Sequence, residues 1–505
     1  MDAMRNEVDS YRISTRLKLF YGSGQAVNAI LDAAINTFLL FYLTAVCGMS
    51  GSAAGAVFLV SLGVDGLLDP FIGRLSDRWT SRWGRRLPFM VVALPPMMLA
   101  SVLLFALPVG LSGATMFAYV LILNLVLRVG LSIFALPHSA LNAEITDDYS
   151  ERTVLSTYRA LFLVVGFAMV LVPAFSLIFT GSDGLQVRSS YPKLGMWVAA
   201  LVAVFGASCT VGIAKDLLRL PSPPPPSEGS DQAGFLSEIL QLFRNPSFVR
   251  LFTAAVLVLA GQGMASALGL HVYRYFWKVP NSLIQLPLLV MPVGMLVGTV
   301  AAGLLMKHIE KRDGVMWAVI AVAAYPALIV ALALLDIVTP GSTTAIILVV
   351  VNGAVFGGCG AICFVCFYSM IADAVDEHDL RFGVRREALY AAALMIGSKA
   401  ATGLGAFVAG LGLQLVGFSA AAKAGSTTII SGSTATGIGL LWGPGATIVV
   451  LAALPMLRRY GIDRNRHAEI LAELQVRRTR PGGGDGAVPA GTSLSTGLQG
   501  EPRIA

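Results

Sequence analysis

Charge is what this sequence has least of. Only 13% of its 505 residues are Asp, Glu, Lys or Arg, while 56% are hydrophobic and the mean hydropathy is +0.74. That balance excludes a disordered chain and an ordinary soluble domain, because long apolar runs recur from end to end. Cysteine is also scarce: Cys47, Cys209, Cys359, Cys363 and Cys366 are the whole set. All lie in or beside apolar segments, and the spacing of the last three matches no zinc pattern, so they read as small buried hydrophobes. No phosphate-binding glycine loop, metal-ligand cluster or nucleophile elbow is present, so an ATP-driven pump or an enzyme lacks its chemistry; no cofactor is expected. No signal-peptide pattern marks the polar, basic N-terminus. The net charge of +7 resides in loops and calls for no nucleic-acid partner.

What is there is membrane-spanning sequence. A bilayer core takes roughly 20 apolar residues per helix. Segments of that kind fall near residues 20–45, 53–75, 88–109, 115–141, 154–180 and 193–214, and again near 248–270, 283–305, 315–336, 343–370, 387–416 and 434–458. The fold class expected is an all-α membrane protein: twelve transmembrane helices in two six-helix halves. The halves span 20–217 and 248–460, after a cytoplasmic segment 1–19. The Pro-rich stretch LRLPSPPPPSEGSDQAG marks a linker, 218–247, and 461–505 a tail with a short surface helix at 467–478 and disorder from about 480. Arg74, Arg78, Arg82, Arg85 and Arg86 follow the second span, Lys307, Lys311 and Arg312 the eighth, and Arg381, Arg385 and Arg386 the tenth. The positive-inside rule then puts both termini in the cytoplasm of an integral plasma (inner) membrane protein. The loops starting at Gly73 and Gly303 hold matching places, a sign of pseudo-symmetry between halves.

Each ionised residue at mid-membrane costs about 2.5–3.5 kcal/mol, so those that persist line a cavity or pair. Asp65 and Asp69 stand at i and i+4 in SLGVDGLLDP, on one helix face and roughly 6 Å apart. Their mutual repulsion is relieved by a hard cation or a proton, which makes them a candidate coupling-ion site; Asp69, next to Pro70, can instead simply cap or end the helix near the cytoplasm. Lys399, in ALMIGSKAATG, can bind substrate or answer the aspartates. Arg159 opens span five within snorkelling reach of the surface. Asn28 and Asp32 share a face of span one and can line the cavity. A cytoplasmic gate is expected from Asp77, Arg78, Arg82, Arg85 and Glu144, with Arg78 or Arg82 pairing with an acid such as Asp77 or Glu144 in an outward-facing state. His138 reads as a packing residue.

The stretch VDGLLDPFIGRLSDRWTSRWGRRLPFM resembles the signature of the glycoside–pentoside–hexuronide:cation symporters, the melibiose-permease branch of the major facilitator superfamily. The similarity continues through FYGSGQAVNAILDAAINTFLLFYLT, ALPHSALNAEITDDYSERTVLSTYR, MIADAVDEHDLRFGVRREALYAAALMIGSK and YGIDRNRHAEILAELQVRR, in order along nearly the whole chain. The resemblance implies a major facilitator fold, with Asp65 and Asp69 as cation-binding carboxylates, Lys399 as the family's helix-eleven lysine and Arg159 as its fifth-helix arginine. It also implies departures. The family's sugar-binding aspartates fall at Ala29 and Ala135, and two polar positions before the lysine are Leu394 and Met395. The function expected is Na+- or H+-coupled symport of a sugar or glycoside by alternating access, in a monomer embedded in lipid. An amphiphile such as a lysophospholipid is the alternative solute, and a non-transporting membrane sensor the third reading.

Overall fold

The computed structural model describes residues 13–146, 148–218, 235–418 and 430–479; the linker at 219–234 and the tail from 480 lie outside them. Twelve helices are long and apolar enough to cross a bilayer. They are α1 (Thr15–Val46), α2 (Gly51–Arg78), α3 (Leu87–Phe105), α4 (Gly113–Glu144), α5 (Ser150–Ile178) and α6 (Arg188–Leu217). A short helix, Phe235–Leu242, lies inside the stretch read as linker. The second set is α7 (Pro246–Phe276), α8 (Asn281–Leu305), α9 (Lys311–Leu334), α10 (Thr343–Phe382), α11 (Glu387–Leu415) and α12 (Gly432–Arg458). A final helix, α13 (Arg464–Thr479), begins three residues before the surface helix read from the sequence. No strand occurs among the described residues. The expected all-α, twelve-span architecture is therefore the one observed.

An all-helical solution follows from the solvent: lipid offers no hydrogen bonds, so each span must satisfy its own backbone. The outer faces carry exposed apolar side chains such as Val92, Leu99, Val204, Val211 and Leu328, which suit hydrocarbon. An even number of crossings brings the start of α1 and the end of α12 to the same side, called here the near end; the opposite side is the far end. At 1.5 Å per residue the 40 residues of α10 extend about 60 Å, twice a bilayer core, so the helix projects beyond it. The projecting part, Asp373 to Phe382, lies at the near end, and α13 packs on it.

The two halves meet most closely along α2 and α11, where backbone touches backbone. A Cβ on Gly51 would lie 2.0 Å from the Gly410 carbonyl oxygen, and one on Gly410 would lie 2.1 Å from that of Gly51. Small residues are what allow such an approach between membrane helices. At the same far end, Arg274 donates to Asp183 at 2.6 Å, Gln186 to Tyr275 at 3.1 Å, and Asn281 to the Gly181 carbonyl at 2.7 Å. Thr44 and His271 join α1 to α7 in a buried bond of 2.8 Å. The Thr44 hydroxyl already donates to Leu40, so it accepts here and His271 Nε2 donates. The far end is sealed.

Candidate functional site

Asp65 and Asp69 lie halfway along α2, buried, and both face α11. Lys399, near the middle of α11, reaches between them. Its ammonium donates to Asp65 Oδ2 at 2.7 Å and to Ser132 Oγ of α4 at 3.2 Å, and stands 2.6 Å from Asp69 Oδ2. Ser132 in turn donates to Asp65 Oδ1 at 2.7 Å. The ammonium thus faces three oxygens drawn from two helices, donating to two of them. The two carboxylates are not equivalent. Asp65 accepts aligned hydrogen bonds on both oxygens, whereas Asp69 has the ion contact without hydrogen-bond alignment, and neither of its oxygens accepts a hydrogen bond. Its side chain is 1% exposed. Two carboxylates against one ammonium leave the cluster with one net negative charge in a low-dielectric setting. Such a cluster attracts a cation strongly, because little water screens it.

A second intramembrane pair stands at the same height. Arg128, halfway along α4, is 5% exposed and donates to Asn36 Oδ1 at 2.7 Å; its Nη1 lies 3.4 Å from Asp32 Oδ1. Asn36 also donates to Asp32 Oδ1 at 3.4 Å. Asn36 lies four residues on from Asp32, one turn along α1, inside the π segment Ala34–Leu39. Asp32 is near enough to feel the charges of Asp65 and Lys399. Sequence reasoning missed Arg128, although NLVLRVGLSI announces it by the same signal as Lys399: one charge inside an apolar run. Ser132 and Asn36 had no such signal.

The remaining expected residues separate from this centre. Arg159 donates to Gln25 Oε1 at 3.3 and 3.1 Å, seven residues and about 10 Å nearer the near end than Asp32. Asn28 does not join Asp32; its amide oxygen is buried without a partner. His138 packs as read, stacked on Tyr21 and bonded at 2.8 Å to its carbonyl.

At the near end, Glu144 receives Arg85 at 2.7 Å and Arg86 at 2.9 Å, and Arg86 also pairs with Asp77 at 2.6 Å and bonds Ser76. Arg86, not one of the expected gate residues, is the buried centre of this knot. Arg78 is exposed where α2 ends, and Arg82 lies over the ring of Trp83, 5.5 Å from its centroid. Gly84, at φ +80°, turns the chain so that Arg85 and Arg86 face Glu144. The second half has its own knot: Lys311 holds Asp373 at 2.8 Å, Arg385 holds Asp376 at 3.2 Å, and His467 of α13 lies 3.1 Å from Asp376. Each of these near-end pairs stays inside its own half. Among the described residues no group of His, Cys, Asp and Glu is arranged as a metal centre.

The chain is 25% identical to an uncharacterised symporter of Synechocystis sp. over 94% of its own length and 99% of that protein's. It is 23% identical to a putative glycoside/cation symporter of Escherichia coli (strain K12), covering 82% of this chain and 85% of the relative. In fold it is similar to the crystal structure of nucleoside transporter NupG, with TM-score 0.59 at 15% identity, over 88% of this chain and 99% of that one. The family model described as MFS/sugar transport protein matches residues 20–464. A twelve-helix bundle with charge gathered between its halves is a transporter's architecture, and the chain belongs to the MFS/sugar transport protein family.

Proposed function

We propose that the protein is a cation-coupled symporter of a sugar or glycoside, with Asp65 and Asp69 as the coupling-ion site. The observation that carries this reading is the Lys399 ammonium seated on two buried carboxylates, one of which accepts no hydrogen bond. The lysine is an internal stand-in for the ion. One monovalent cation, Na+ or H+, takes the ammonium's place against the two carboxylates at unchanged cluster charge and frees Lys399. Cation and solute then favour the same closed state, and each raises the affinity for the other. The names of the relatives, a symporter and a putative glycoside/cation symporter, agree with this reading.

The near end is the cytoplasmic one, because its loops carry the arginines and lysines that the positive-inside rule retains there. With the far end sealed, the arrangement is on this reading the inward-facing stage of alternating access, in a bacterial inner membrane. In the opposite stage the far-end bonds of Arg274, Asn281 and His271 break, and the near-end knots of Arg86 and Lys311 approach one another.

Uptake of labelled glycosides into proteoliposomes, under an imposed Na+ or pH gradient, tests the reading. Gradient-driven uptake in the native protein and its loss in Asp69→Asn are expected. Failure of both gradients to drive any glycoside, or full coupling in Asp69→Asn, overturns it.

A further inference from the structure

The Arg128–Asp32 pair is not needed to hold the cation cluster, and its geometry is lopsided. The arginine side chain is 6% exposed and the aspartate side chain 40%. A purely structural pair in a membrane would bury both charges at close range, since an exposed one spends its neutraliser poorly. Here the ionic contact is long, at 3.4 Å, while the short bond runs from Arg128 to Asn36, at 2.7 Å. Both contacts to the aspartate fall on Oδ1, so among the described residues Oδ2 receives no donor. Arg128 Nε is buried with no partner of its own. The guanidinium is committed to the protein; the carboxylate is offered outward.

The exposed carboxylate lies close to the cation cluster on α2 and α11. Asp32 on α1 stands at the mid-height of Asp65 on α2, Arg128 on α4 and Lys399 on α11, within range of the charges of Asp65 and Lys399. The guanidinium alongside favours the charged form of this carboxylate and offsets its appetite for a cation. Its negative charge repels an acidic group. What remains complementary to an ionised oxygen with free lone pairs is a neutral hydroxyl donor, bound by a short charge-assisted O–H···O bond. The second oxygen, on the same carbon, lets one carboxylate take two adjacent hydroxyls.

We infer that Asp32, positioned by Arg128 and Asn36, is a hydroxyl-binding group of the solute site, one that accepts hydrogen bonds from neighbouring hydroxyls of a polyhydroxylated solute. This rests on the transport reading above, but on different residues from the cation site. Asp32 is the group that touches solute; Arg128 and Asn36 act through it.

The test uses the full chain in nanodiscs with methyl β-glycosides of xylose, glucose and galactose, and the 2-, 3- and 4-deoxy analogues of whichever binds, followed by titration calorimetry. The native protein is expected to bind at least one glycoside saturably and to discriminate against at least one deoxy analogue. Asp32→Asn weakens the parent glycoside roughly 10- to 100-fold, the range for a hydrogen bond to a charged group, and loses the discrimination. Arg128→Gln weakens it comparably, and Arg128→Lys restores part of the loss. Stabilisation by Na+ or by lowered pH without sugar is measured in parallel. If it persists in Asp32→Asn, the variant is folded and the cation site is intact. If it is missing even from the native protein while the Asp32 effects hold, the coupling reading fails and this inference stands. Native protein that binds none of the glycosides, or Asp32→Asn that binds within threefold of native or keeps its discrimination, overturns the inference.

Discussion

Replacing Lys399 by methionine removes the ammonium while keeping a long, flexible chain in its place. The perturbation is severe because the two aspartate side chains it contacts are 5% and 1% exposed and four residues apart on one helix. Removing one partner of a buried ion pair costs about 3–5 kcal/mol, and here two like charges are left facing each other. The variant has one way to recover: take up the cation that the lysine replaces. Without an internal competitor, that uptake is tighter than in the native protein. An ion at 100 times its dissociation constant returns about 2.7 kcal/mol, most of the loss. The assay is thermal unfolding of purified protein, with Na+ exchanged for choline at constant ionic strength and at several pH values. In choline at high pH, Lys399→Met is expected to melt well below the native protein. Added Na+ should close most of that gap if Na+ is the coupling ion, and lowered pH should do so if it is the proton; the native protein responds less to either. A variant as stable as native in choline at high pH, or one that neither Na+ nor protons stabilise, would refute the reasoning.

Two further outcomes follow from the ends of the bundle. Arg86→Ala removes the buried guanidinium shared by Asp77, Glu144 and Ser76, leaving Glu144 with Arg85 alone; a destabilisation of about 1–3 kcal/mol by denaturant titration is expected, with little from Arg78→Ala. Gly410→Val drives a side chain into the Gly51 carbonyl and so disfavours far-end closure. Cysteines placed in the far-end loops should become more reactive to a membrane-impermeant maleimide in that variant, and unchanged labelling would count against the seal described.

The membrane architecture was legible because its signal is long and redundant: twenty apolar residues in a row have few soluble explanations, and twelve such runs reinforce one another. Asp65, Asp69 and Lys399 were legible for the complementary reason, that a charge inside such a run is expensive. Arg128 carried the same signal and was passed over, so it was readable although unread. Ser132 was not, since a serine in a membrane helix is unremarkable until the fold sets it between Asp65 and Lys399. The near-end knot was half visible. Its acids and its arginine cluster are plain in the sequence, but which arginine reaches Glu144 depends on where α2 stops and how the turn at Gly84 redirects the chain. Pairing across a turn is decided by geometry that composition does not encode.

The helix α13 gives the second half a property the first lacks. Arg464 bonds the carbonyls of Met306 and Ile309 in the α8–α9 loop, His467 reaches Asp376 on α10, and Ile470 and Leu474 are buried beneath. In the first half the matching contacts come from Arg86, at the start of α3, so they can form as soon as α4 is made. In the second half the fastening piece is translated after all twelve spans have been inserted. Assembly is therefore staggered: both halves can form near-end pairs as their spans are made, Lys311 with Asp373 in the second. The second half gains its last fastening only when the final stretch of described chain leaves the ribosome and docks.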